Sequence, residues 1–173
     1  MEGETTMTYA VHNLAGAQPI ADTSTTQKHP LGQLCRGTDP TYGQGEFIYL
    51  LGVASTTVGD VVKYNATTYQ TALITVSNSK NKGESVAVAM SANVASQYGW
   101  YQVSGNAVVK KTGVAVTPQV PVFISATTGR IKVLASAGQQ ILGAQTANLT
   151  TVVTTTSTVV VTINRPFCQG QIT

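Results

Sequence analysis

The chain has 173 residues, of which 42% are hydrophobic and only 10% charged, with a net charge of +3 from ten basic and seven acidic residues. That length suits one domain with a real core and excludes two comfortable ones. The scattered cations form no basic stripe, which argues against nucleic acid as a partner. A surface so poor in charge suits a protein partly covered by other subunits.

No apolar run approaches the roughly 18 residues of a membrane helix, so no membrane partner is expected. Met1-Glu2-Gly3-Glu4 is acidic where a signal peptide needs basic residues, which points to a protein made and folded in a cytoplasm. In that setting Cys35 and Cys168 are expected as free or buried thiols rather than a disulfide.

Residues 1–45 are interrupted repeatedly by Gly, Pro and small polar residues, and no period of 2 or 3.6 survives. They are expected to form an extended arm that cannot bury enough surface alone and so stays mobile or lies along a partner. Leu14, Ile20, Leu31 and Leu34 are spaced there as single apolar anchors.

From Glu46 onward the pattern changes. Short runs at 47–53, 61–64, 69–76 and 85–90 read as strands, separated by turn residues and by the polar loop 77–83. Residues 91–96 could make one helical turn with Ser91 as N-cap. Residues 98–111 hold Trp100, the only tryptophan, and read as a β-hairpin turning at Ser104-Gly105-Asn106. Further strands are expected at 113–116, 120–125, 130–134, 140–145, 149–154 and 159–164. Pro118 and Pro121 should place the 120–125 piece at an edge or at a strand start. Ten or so short strands with frequent turns describe an all-β domain over 46–173, a compact antiparallel β-barrel or β-sandwich.

Catalytic chemistry finds little support in these residues. His12 and His29 have no cysteines or carboxylates at ligand spacing, so no metal is expected. Gly43-Gln44-Gly45 lacks the third glycine and the following helix of a dinucleotide site, and no other cofactor signature occurs. Glu46, Asp60 and Glu84 each fall at a strand edge or turn, where a solvated or capping carboxylate is the ordinary explanation. Tyr98, Trp100 and Tyr101 could form a sugar platform, but packing in the core or at a subunit interface is the better reading.

Three stretches resemble small structural proteins of tailed-bacteriophage heads. They are Gly45-Glu46-Phe47-Ile48-Tyr49-Leu50 leading to Val58-Gly59-Asp60-Val61-Val62, then Gln97-Tyr98-Gly99-Trp100-Tyr101-Gln102-Val103-Ser104-Gly105, then Val122-Phe123-Ile124-Ser125 before Thr128-Gly129-Arg130-Ile131. The resemblance covers about residues 40–147, and members are described as capsid decoration or cement proteins. It implies a β domain on the outer surface of a virion. Such a domain would form a homo-oligomer, with a trimer favoured, and clamp neighbouring copies of the phage major capsid protein through its arm. The implied arm contacts are Leu14, Pro19, Ile20, His29, Leu31, Leu34 and Arg36. The rival expectation is a receptor- or glycan-binding module of a fibre or tail, using the aromatic stretch around Trp100.

Overall fold

The computed structural model describes residues 7–93 and 95–171. Its elements are β1 (Ala10–Val11), β2 (Thr23–Ser24), β3 (Leu34–Asp39), β4 (Gly43–Leu51), β5 (Val61–Tyr64), β6 (Thr71–Leu73), α1 (Val76–Ser79), β7 (Ser85–Ala89), β8 (Tyr98–Lys110), β9 (Pro121–Ile124), β10 (Ile131–Lys132), β11 (Gln140–Thr146) and β12 (Thr158–Cys168). The fold is all-β, as composition and spacing imply. Its 12 strands form one antiparallel sheet, with main path β1-β3-β4-β8-β7-β12-β11-β9-β10, and the sheet does not close. Pro121 opens β9, where its missing N–H costs least.

The run Phe47-Ile48-Tyr49-Leu50 is continuously apolar because both faces of β4 are covered. Phe47 and Tyr49 point into one cluster with Met7, Tyr9, Ile20, Cys35, Met90 and Trp100. Ile48 and Leu50 point into another with Val62, Ala87, Ala89, Tyr101 and Val103. A third cluster, rich in valine and isoleucine, fills the space among β5, β7, β9, β11 and β12. Tyr64, Tyr69 and Leu73, around β5 and β6, pack against the second cluster. The chain before β4 covers the first.

That cover corrects the expected arm. Residues 7–45 are not an independent tail, because β1 pairs with β3, β3 with β4, and β2 with β8. Residues 34–39 alternate in burial as a full strand, and β4 already begins at Gly43, so only the stretch before β3 runs as an irregular strap across the sheet. The 98–111 stretch is not a hairpin either: β8 is a single strand of 13 residues. It pairs with β4 over 98–104 and with β12 over 104–110. Gly105, at φ +98°, lies where the partner changes, and a Cβ there would press on the Gln44 carbonyl oxygen. The turn signal therefore marks a bend at which β8 passes from β4 to β12, beside its shorter pairings with β2 and β7.

Three smaller expectations also fail. Residues 91–93 and 95–97 make bends and turns rather than a helix, with Asn93 buried and donating from Nδ2 to the Tyr101 hydroxyl at 2.7 Å. Within the loop expected at 77–83, the first residues form α1, whose cap Thr75 exchanges hydrogen bonds with Asn78. The expected strands at 113–116 and 149–154 reduce to one bridge between Val116 and Val152, because threonine-rich β propensity finds no ladder partner there.

Replacing Gly105 by Ala should cost about 3 kcal/mol, combining positive-φ strain with a backbone clash. Gly16→Ala, at φ +70° with nothing within 4 Å, should cost only about 1 kcal/mol. Denaturant midpoints of the two variants test this, and equal losses would contradict it.

Both cysteines are free and buried. Burial raises Cys35 from the ordinary 9.0 to about 12, and burial with the Glu84 charge behind it raises Cys168 to about 11. Burial likewise raises Tyr9 from 10.0 to about 12. The folded state keeps these protons where the unfolded chain has lost them, so their contribution is complete below pH 9 and lost as pH climbs towards 12. Lys111, lowered by burial, works in the opposite sense, one group against these three. Stability should therefore fall from pH 9 upward, and Cys35→Ala should make that slope shallower in denaturant titrations at successive pH values.

Candidate functional site

Trp100, Tyr49 and Tyr101 are all fully buried, which decides the reading of the aromatic stretch. Trp100 packs on Tyr49 with ring centroids 4.9 Å apart, and His29 lies 5.3 Å from Trp100 and 5.1 Å from Tyr49. Tyr98 stacks on Tyr49 at 6.3 Å. The polar tips of this aromatic group meet at Gln18. Its carbonyl accepts from Trp100 Nε1 at 2.9 Å, and its Oε1 accepts from the Tyr49 hydroxyl at 3.0 Å. Its backbone N–H donates to His29 Nε2 at 3.0 Å. Trp100 and Tyr101 are fully buried and Tyr98 packs partly buried against the Trp100 cluster, so the indole presents no face for a sugar.

The expected arm contacts separate into interior and surface groups. Ile20 is buried in the cluster around Trp100, Leu14 and Leu31 pack against it, and His29 belongs to the aromatic group. Ile20 and His29 therefore serve this chain's own core, because the apolar spacing that suits a partner suits the nearby sheet equally. Leu34 is exposed on β3 and Arg36 is exposed beside it. Pro19 and Leu14 line a shallow cleft of about 510 Å³ with Tyr9 and Val11.

The three acidic candidates do not converge. Asp60 pairs with Lys110 at 3.0 Å and Glu84 with Lys63 at 2.8 Å. Glu46 holds two arginines, Arg36 on Oε1 at 2.8 Å and Arg165 on Oε2 at 2.9 Å. Among the described residues no group of three or more His, Cys, Asp or Glu side chains could hold a metal ion. Likewise, no helix of the described residues is long and apolar enough to cross a membrane.

Two surface features stand out. One is a polar row across the outer face of the sheet, where Arg36 pairs with Glu46, Glu46 with Ser104, and Ser104 with Asn164. Arg36, Glu46 and Ser104 of this row floor an open cleft of about 540 Å³ that His12, Asn13 and Gln44 also line. The other is the 147–157 loop, which carries Leu149 at 95% exposure and Val153 at 57%.

The loop is held rigidly for an exposed segment. Val116 and Val152 exchange two backbone hydrogen bonds of 2.9 Å, and Lys111 N–H donates to the Ser157 carbonyl at 2.8 Å. Asn148 Nδ2 donates to the Val116 and Thr150 carbonyls. Lys111, 1% exposed, donates from Nζ to the Val114 carbonyl at 2.9 Å and the Val153 carbonyl at 3.0 Å. A buried ammonium facing carbonyl oxygens is stable only while those carbonyls stay in place, so Lys111 pins the loop to the β8 end.

Sequence reasoning passes over Gln18, Lys111, Leu149 and Arg165. Leu149 carries a usable signal, a large apolar residue amid threonines, but a strand reading absorbs it. Gln18 and Lys111 carry none, since their roles depend on what the fold brings to them. Compared with protein-family models and with curated proteins, the chain matches none.

Deleting residues 1–40 removes the cover of Phe47, Tyr49 and Trp100. The truncated chain should lose its cooperative melt, and its Trp100 emission should move to the red. A blue emission maximum with a cooperative melt would show that the cover is dispensable.

Proposed function

We propose that this protein is a virion structural protein that decorates and stabilises the outer surface of a tailed-phage capsid, docking onto major capsid subunits. The observation that carries this reading is the exposure of Leu149 and Val153 on a loop that hydrogen bonds from Val116, Lys111 and Asn148 tie to the sheet. Apolar side chains displayed on a pinned loop lose little conformational entropy on docking, which favours binding to a repeating, static lattice. The head-protein motifs support the same reading, since they lie in β4, β5, β8, β9 and the start of β10, within the sheet that carries the loop.

Docking through a folded surface replaces the arm as the clamp. A domain that binds only the assembled shell stabilises that shell by mass action. Many weak copies across a lattice add up where one would not suffice. Trp100 and Tyr101, on which the fibre or glycan-binding alternative builds, are buried.

Co-sedimentation of the protein with isolated heads tests the proposal. The double variant Leu149→Ser/Val153→Ser should weaken head binding by roughly tenfold or more, as expected for apolar anchors. Its unfolding midpoint should stay unchanged within about 0.5 kcal/mol, because both side chains face solvent. Wild-type protein that fails to sediment with heads, or that binds equally well as the double variant, would sink the reading.

A further inference from the structure

The Arg36-Glu46-Arg165 group is more deliberately built than a surface ion pair needs to be. Along β12, buried residues alternate from Val159 to Ile163, and then Asn164 and Arg165 are exposed in succession. Arg165 adopts φ +44°, a left-handed conformation that is strained for a residue with a Cβ. Gly143 at φ +73° faces it, where the β11–β12 register shifts. Without this irregularity Arg165 would continue the inward series. With it, the guanidinium reaches Glu46, on β4. Arg36 and Arg165 remain 70% and 59% exposed, and each guanidinium has more N–H donors than one oxygen of Glu46 uses. Two cations share one anion at the rim of an open cleft, so the site carries surplus positive charge.

We propose that this cleft receives residues 1–6 of a second copy of the chain, with Glu2 and Glu4 on Arg36 and Arg165. That segment holds two of the chain's seven acidic residues and no basic side chain. Residues two apart on an extended segment point the same way, about 7 Å apart, so both carboxylates can face one row of donors. The second copy is favoured over the same chain by the way the strap begins. Met7 is buried, and the Thr8 N–H donates to Asp39 Oδ2 at 2.6 Å, which anchors the start of the strap at the far end of β3 from Arg36. Reaching the chain's own cleft would require the chain to turn back along β3 from that anchor.

Each copy then gives one segment and receives one. Such a head-to-tail contact closes into a ring or continues as a filament. The contact belongs to the free protein and holds whether or not the capsid reading does.

Sedimentation velocity of the full chain over a concentration series tests it. Wild-type protein should self-associate, and Glu2→Gln/Glu4→Gln or Arg36→Gln/Arg165→Gln should each weaken association roughly tenfold. About 0.5 M NaCl should weaken the wild type similarly. Mixing the two double variants should restore a single contact, since one retains the cleft and the other the acidic segment. Thermal melts unchanged in both variants keep folding separate from association. A wild type that stays monomeric, an association that neither variant weakens, or a mixture that fails to recover pairing would overturn the proposal.

Discussion

The closing of one sheet face by the chain that precedes it is the constraint on which the rest of this structure depends. Phe47, Tyr49 and Trp100 are fully buried and present a broad apolar surface, and burying each contributes roughly 2–3 kcal/mol. Their polar atoms, the Trp100 N–H and the Tyr49 hydroxyl, would be costly to bury without partners. Gln18 provides both acceptors from a segment with almost no regular structure. The strap is therefore ordered by its fit to the sheet, and the sheet keeps two apolar faces only because the strap and the β5–β6 region cover them.

This arrangement decides which surfaces remain for partners. Ile20 of the strap is committed to the interior and cannot also serve a neighbour, whereas Leu34 stays exposed. Among the surfaces left are the 147–157 loop and the polar row crossing β3, β4 and β8, beside single exposed apolar side chains such as Leu134 and Phe167. The two differ in physical character. The loop offers apolar area held by backbone hydrogen bonds and by Lys111, whereas the row offers charge, which is screened by salt and acts by complementarity.

Backbone irregularity gathers around that row. Gly105 bends β8 where its partner changes from β4 to β12, and the Gly143 and Arg165 irregularity turns a charged side chain outward. Ser104, next to the bend, pairs with Glu46 on one side and Asn164 on the other. The same departures from regular strand geometry that let the sheet curl also bring Arg36, Glu46 and Arg165 together from three separate strands.

Local chemistry made much of this protein legible. Alternating and continuous apolar runs locate β4, β5, β7, β9, β11 and β12, because side-chain period and burial are written into each run. Sparse charge and closely spaced turns point to a single all-β domain, and the lone tryptophan marks its largest buried anchor. What the amino-acid order could not settle depends on contacts between distant residues. A Ser-Gly-Asn triplet reads as a hairpin turn until β4 and β12 claim opposite halves of one strand. A glycine- and proline-broken segment reads as a free arm until a bare aromatic face lies within its reach. Leu149 reads as a strand residue until no partner strand arrives, and Arg165 joins Glu46 across 119 positions of sequence. Propensity and period act over a few residues, so they determine strands. Partners, covers and exposed tips are decided by which strands meet, and only the tertiary structure contains that information.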